Sequence, residues 1–391
     1  MTYDIRGFAA FTRRAFSATR QDPGRLTPKR FGLLAGFYLL YGTVEGITWM
    51  GFALDNLLAR GYRAQPINRP VFIIGNPRSG TTFLQRILSR DTQTFAPMRL
   101  WEILFAPSIV QRILVAGGAK IDRLLGAPLR KFIESLDARI RQKNPVHPTG
   151  LLASEEDQYL FLHIWSTVAT WQFAGILGPE AECYTHFDAM LPAEEKSRIM
   201  RFYSRAIQRH LYFHEQRSGT PRHYLSKNPS GSPKVDALYA EFDDPRIIYL
   251  VRNPLQMIPS MISTLDYTWQ VLGDPPEPYA CRDYVLEMAH YWYTYPLQRL
   301  AEAPPKSYII VNFNDMVESV DHTVERIYRR FDLEITPEYR RVLEQETTRA
   351  RQHQSNHHYS LEAMGLTREQ IVADYRDIFD RFGFDTQASS L

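Results

Sequence analysis

Val71-Phe72-Ile73-Ile74-Gly75-Asn76-Pro77-Arg78-Ser79-Gly80-Thr81-Thr82 runs from a β-branched, apolar stretch into a glycine-bounded loop and then into a helical pattern. Four apolar residues before Gly75 read as a buried strand, and the pattern from Thr81 reads as a helix. Such a loop lets backbone amides and a helix N-terminus converge on an anion. In triphosphate-binding loops of this shape, the residue after the second glycine is a lysine that reaches the β- and γ-phosphates. Here that residue is Thr81, and the cation sits inside the loop as Arg78. A planar guanidinium grips a tetrahedral anion with two parallel bonds. The loop therefore suits an anionic nucleotide other than ATP or GTP.

A second short apolar run, Ile247 to Val251, is bounded by Pro245 and Pro254 and reads as another buried strand. It ends in Arg252-Asn253-Pro254, with Ser260 on the helix that follows. A magnesium-dependent phosphotransferase would place an acidic residue at the end of such a strand. An arginine followed by a serine hydroxyl instead suits a phosphate monoester, one supplying charge and the other a directed donor. Between the two sites lies Tyr224-Leu225-Ser226-Lys227-Asn228-Pro229. Only eight of the 46 basic residues are lysine, which singles out one at the end of a strand.

These three segments together resemble the sulfotransferases, in particular the bacterial branch related to the tyrosylprotein enzymes. Pro77-Arg78-Ser79-Gly80-Thr81-Thr82 is similar to the family's 5′-phosphosulfate loop. Arg252 and Ser260 match the pair that holds the 3′-phosphate, and Lys227 matches a lysine facing the transferring group. The resemblance implies 3′-phosphoadenosine-5′-phosphosulfate (PAPS) as co-substrate, with Arg78, Ser79, Gly80, Thr81, Thr82, Arg252 and Ser260 binding it and no metal required. It also implies an α/β, P-loop-like three-layer fold with a mostly parallel sheet flanked by helices. The Arg-Lys-Gly segment of cytosolic members has no counterpart here. His358-Tyr359-Ser360-Leu361 with Gly365-Leu366 instead resembles the bacterial C-terminal signature and is expected to cover the nucleotide. The resemblance spans roughly residues 68–385.

Sulfuryl transfer needs a base for the acceptor hydroxyl. Glu102, in Pro97-Met98-Arg99-Leu100-Trp101-Glu102, lies in the region where tyrosylprotein sulfotransferases carry their glutamate and is the first candidate. Glu156 and His163 are the alternatives. With Tyr159 they would share one face of a helix from Ser154 to about Trp165, in which Asp157 completes a capping box.

The composition is that of an ordinary globular protein: 391 residues, 44% hydrophobic, 23% charged, net charge +3. That charge is too small, and basic-aromatic tracts too few, to indicate nucleic acid. Two cysteines, Cys183 and Cys281, make no disulfide framework and suit the cytoplasm. Residues 1–68 read as a basic, then apolar helical extension, and 69–391 as the sulfotransferase domain with a helical insertion around 108–220. The arginine-studded helical part at 108–143 would shape the acceptor site.

Residues 31–58 form an N-terminal hydrophobic helix whose length admits a membrane span. Against a span, Glu45 falls near mid-helix and lies with Thr48, Asp55 and Asn56 on one side of the helical wheel. The segment is expected to pack on the domain, on a second copy, or on a membrane surface with the enzyme peripherally attached. Farther along, Pro97–Pro107 reads as a turn region and Ala193–Gln216 as an amphipathic helix. Tyr308–Phe313 reads as a strand, and Glu369–Phe382 as a last helix. High aromatic content (22 Tyr, 22 Phe) and the apolar helix favour a small hydrophobic or lipid-like alcohol as acceptor. The rival readings are a kinase-like phosphotransferase and a non-catalytic, membrane-associated nucleotide-binding protein. The first lacks the loop lysine and the acidic strand end, and the second leaves Lys227 and the candidate bases unexplained.

Overall fold

A computed structural model describes residues 3–17, 25–143, 150–273, 275, 277–352 and 360–387. Five parallel strands form the sheet in the order β2-β3-β1-β4-β5: β1 Val71–Gly75, β2 Phe95–Pro97, β3 His223–Lys227, β4 Arg246–Val251 and β5 Tyr308–Asn312. The expected strands at 71, 247 and 308 are present. The central strands β1 and β4 are buried along their whole length, as a parallel sheet covered on both faces requires. Alternation sorts their side chains between two cores. Val71, Ile73, Ile248 and Leu250 join one with Leu84 and Ile87, while Phe72, Ile74, Ile247 and Tyr249 join the other. Helices cover both faces, giving the three layers that the motifs imply.

The chain opens with helices α1 (Ile5–Ser17) and α2 (Pro28–Leu58). Leu34, Glu45, Thr48, Phe52 and Asp55 of α2 are buried, so one stripe of this long helix lies along the body of the protein. The opposite face is exposed, at Leu40, Met50 and Leu57 among others. Phe11 and Ala15 of α1 and Leu34 and Phe52 of α2 share a core with Trp165 and Trp171. By length and composition α2 could cross a membrane. Its buried polar stripe instead packs it on the domain, as Glu45, Thr48 and Asp55 lead one to expect.

After the loop come α3 (Thr81–Leu88), α4 (Leu100–Leu104) and a helical hairpin of α5 (Ile109–Leu124) and α6 (Pro128–Lys143). Three readings are corrected here. Pro97–Pro107 is not all turn, because it contains α4. The expected 369–382 helix is broken into Arg368–Asp374 and Arg376–Phe382. Ser154 caps no helix: it forms an antiparallel bridge to Arg99, and only Asp157–Ile164 is helical, as a 3-10 turn. Extended pairing at 99 and 154 takes the backbone that a capping box would use. His358 and Tyr359 of the C-terminal signature lie outside the described residues.

Candidate active site

The order β3-β1-β4 brings three carboxyl ends side by side: the 76–80 loop after β1, Lys227 closing β3 and Arg252 following β4. Open parallel sheets bind ligands in this crevice. The loop turns through two residues in the left-handed region, Arg78 (φ 69°) and Gly80 (φ 90°). For a non-glycine residue such as Arg78 this conformation is a local strain, of a kind that clusters at ligand sites. Glycine is needed at 80, since a Cβ there would lie 2.5 Å from Phe313 Cδ2. The loop is held from below, where Gly75 N donates to Ser232 Oγ (3.1 Å) and Ser79 N to Asn76 O (3.2 Å).

The loop after β1 and the segment after β4 meet directly. Arg78 Nε donates to Ser260 Oγ at 3.0 Å, and Arg252 Nη1 donates to the Arg78 carbonyl at 2.9 Å. Arg252 also lies 4.3 Å above the Phe313 ring, a cation–π contact that orients its fork. Tyr293 OH donates to the Arg252 carbonyl (2.6 Å). Thr81 and Thr82 open α3 behind the left-handed Gly80. The Ser79 hydroxyl is buried with no hydrogen-bond partner among the described residues, leaving a donor in the loop for a bound anion.

Lys227 is fully buried, and its ammonium donates to Glu156 Oε1 at 2.8 Å. Glu156 is thus drawn to the lysine. Beside it, Glu155 is buried with both carboxylate oxygens unpartnered, and burial pushes its carboxyl up. Asp157 is pushed up too, by burial, while Tyr203 and Tyr224 donate to its Oδ2 (2.5 and 2.7 Å). This tyrosine pair anchors the acidic segment under β3. The segment is also tied to the chain leaving β2, through Glu155 N to Met98 O (3.3 Å) and Leu100 N to Ala153 O (3.0 Å).

Two of the candidate bases have partners of their own. Glu102 is buried in a basic cluster. Its Oε2 accepts from Arg99 N (2.8 Å), and its Oε1 lies 3.0 Å from His214 Nε2 and 3.9 Å from His210 Nδ1. Burial alone would raise its carboxyl, but the His214 bond and the Arg112 charge outweigh it and hold Glu102 well below the ordinary range. A carboxylate held so firmly ionised is a weak base. Glu102, His210 and His214 stand close enough to share a metal ion. The Arg112 guanidinium, 3.1 Å from His210 Nδ1, already meets that lone pair and supplies positive charge. His163 is buried, with Nδ1 2.7 Å from Glu45 Oε1 and Nε2 2.8 Å from the Ile103 carbonyl. Both ring nitrogens are therefore occupied within the protein.

The family model described as "Sulfotransferase family" matches residues 70–337. The chain belongs to the sulfotransferase family. Its activity class is sulfuryl transfer. Among curated relatives it is similar to the omega-hydroxy-beta-dihydromenaquinone-9 sulfotransferases Stf3 of Mycobacterium bovis and Mycobacterium tuberculosis. Each is 23% identical, over 91% of this chain and 84% of the relative. Two solved sulfotransferases share the fold at 19% identity. STF9 from Mycobacterium avium has a TM-score of 0.76, covering 97% of this chain and 91% of that one. STF1 from Mycobacterium tuberculosis H37Rv has a TM-score of 0.69, covering 95% and 92%. Coverage of 97% takes in N-terminal helices that the motifs did not reach.

Of the residues gathered here, the 76–82 loop, Arg252, Ser260 and Lys227 carry motif signals, whereas the contact of Arg78 with Ser260 shows only in the structure. The Tyr203/Tyr224 anchor and Phe313 carried no sequence signal, because each acts through contacts across distant segments.

Proposed function

We propose that this sulfotransferase uses PAPS as donor and sulfates a hydroxyl of a small hydrophobic, lipid-like acceptor. One observation carries the donor reading: residues 78, 252 and 260, far apart in sequence, form one hydrogen-bonded unit at the ends of β1 and β4. Arg78, Ser79, Gly80, Thr81 and Thr82 would hold the 5′-phosphosulfate, with Arg252 and Ser260 on the 3′-phosphate. The unpartnered Ser79 hydroxyl and the bare Gly80 position fit that role. These groups, with Lys227, meet the donor's charge, and the reading includes no metal.

PAPS supplies an activated sulfuryl group when bound. As the acceptor oxygen bonds to sulfur, the bond from sulfur to the phosphate oxygen breaks and the hydroxyl proton leaves. Lys227 stabilises the sulfuryl oxygens during this step. Glu156 takes the proton, replacing Glu102 in that role. Its 2.8 Å contact with Lys227 puts it beside the group that would face sulfur. The curated relatives are named for a menaquinone derivative, which supports a lipid-like alcohol for this chain. Free Cys183 and Cys281 suit a reducing compartment, and the reading places the enzyme in the cytoplasm.

Labelled PAPS offered with a panel of long-chain and isoprenoid alcohols tests the proposal. Transfer to at least one of them, lost in Lys227→Ala, is expected. No transfer and no binding of 3′-phosphoadenosine-5′-phosphate would overturn the donor assignment.

A further inference from the structure

On α2, α5 and α6 the exposed side chains are of two kinds only to a first approximation, apolar and cationic. Two thirds of the exposed large apolar side chains of the described residues lie on α2 and the α5–α6 hairpin, including Leu40, Met50, Leu114, Leu124, Leu125 and Phe132. Soluble monomers rarely gather so much exposed apolar side chain on neighbouring helices, and such surfaces mark membrane or protein contacts. The three helices form one layer. Gly51 of α2 lets Ser108 and Gln111 approach at the start of α5, where a Cβ would lie 2.5 Å from Ser108 Oγ, and α5 folds back on α6.

The charges of this layer are sorted. Lys29, Lys120, Arg123, Arg130, Lys131 and Arg139 are exposed. Of the acids, only Glu134 faces out, and it is paired with Arg130 at 2.8 Å. The other four are buried and engaged within the protein. Glu45 meets His163, and Asp55 accepts from Ile109 N and Val110 N (3.0 and 2.9 Å). Asp122 accepts from Leu129 N and Arg130 N (2.8 and 3.0 Å), and Asp137 from Leu151 N (2.6 Å). Three of these carboxylates therefore satisfy helix starts or the chain after the hairpin, and the layer presents apolar and cationic groups outward.

We infer that the α2/α5/α6 layer docks on the surface of an anionic lipid bilayer. The apolar side chains enter the interface while the lysines and arginines meet acidic headgroups. Lys and Arg stems suit this depth, because they lie along apolar surface with the charge in water. A second copy of the chain is the poorer occupant. A two-fold interface sets the same patch against itself, bringing these cations together with almost no exposed acid to balance them. The inference rests on the three helices alone and not on the identity of the acceptor.

Flotation of the full chain with vesicles tests it, using phosphatidylcholine alone against phosphatidylcholine mixed with phosphatidylglycerol. Binding to the anionic vesicles, weakened by salt, is expected, together with a blue shift in emission from the exposed Trp49. Lys120→Gln with Arg123→Gln should lower partitioning about 30-fold, since each basic residue near the surface contributes about fivefold. Leu114→Ser with Leu125→Ser should lower it by about tenfold or more. Unchanged thermal unfolding checks that these variants fold, and Met190→Ser, an exposed apolar site outside the layer, should float normally. Three results would overturn the inference. One is failure of the full chain to float with anionic vesicles. Another is equal flotation by the wild type and both layer variants. The third is a dimer by light scattering that the Leu114/Leu125 variant dissociates, which would assign the layer to contact between copies.

Discussion

Replacing Arg252 with alanine separates the two proposed anion sites most cleanly. In the structure Arg252 does two things: its Nη1 supports the loop through the Arg78 carbonyl at 2.9 Å, and its guanidinium is held over Phe313, beside Ser260's partner Arg78. Loss of loop support should weaken any adenine nucleotide with a 5′-phosphate, whether or not it carries a 3′-phosphate. That part cancels in the ratio of 3′-phosphoadenosine-5′-phosphate affinity to AMP affinity. What remains is the bond from arginine to the 3′-phosphate, about 1.5–3 kcal/mol for a charged partner. The preference for the bisphosphate should therefore fall by about 10- to 150-fold. Calorimetry on the wild type and the variant with both nucleotides, without magnesium, measures this ratio. Arg252→Lys should recover part of it, since a point charge replaces the fork without its two-point grip. Equal losses for both nucleotides, leaving the preference intact, would refute the 3′-phosphate role and leave Arg252 as a loop support.

The remaining expectations concern the acids, the loop and a buried lysine. Glu156→Gln should lower kcat by about 10²–10⁴ with nucleotide affinity nearly unchanged. Glu102→Gln should keep kcat within a few fold but lower the unfolding temperature, because it leaves Arg112 in a buried cluster without its carboxylate. The opposite ranking of rates would return the base to Glu102. Gly80→Ala should abolish nucleotide binding and cost about 1–3 kcal/mol in chemical denaturation, from the left-handed backbone and the contact with Phe313. Wild-type binding in that variant would show that the loop adapts. Lys234 is buried, and burial lowers its ammonium to about 7 from 10.5. Between those values the unfolded chain holds more protons, so stability should rise with pH from about 7 upward, by up to about 1.4 kcal/mol per pH unit. Lys234→Met should flatten that rise, and an unchanged slope in denaturant melts at pH 7–9 would exclude Lys234 as its source.

What could be read from sequence was local, and what could not was long-range. Val71–Gly75 and Arg246–Val251 were legible because strands buried on both faces are continuous apolar runs. Phe95–Pro97 was not: three residues ending in proline, at the sheet edge, have no period to detect. The loop and Arg252 stood out because their residue types sit at fixed offsets from a strand end, but the contact of Ser260 with Arg78 had no such signal. The carboxylates were harder. Glu102, Glu156 and His163 each had a plausible spacing, but spacing does not say what stands opposite. His163 faces Glu45 of α2, and Glu102 faces His214, 112 residues away. Asp157 looked like a capping-box partner, and became a buried acceptor for two tyrosines because Ser154 pairs with Arg99 instead.

The strand order has a consequence for how the protein is made. β1 occupies the middle of the sheet, yet its two neighbours are β3 and β4, with Val71 paired to Leu225 and to Arg246. On the ribosome β1 must wait for both partners to be synthesised, a delay of about 10–35 s at ordinary translation rates. Throughout that interval α2 is already complete, with its exposed apolar side chains and the Leu34 and Phe52 side chains that the domain later covers all bare. A nascent chain in this state needs a temporary cover, and a chaperone or a bilayer close to the ribosome would supply it. Expression yield should therefore depend more on what meets the first 60 or so residues as they emerge than on the stability of the finished sheet.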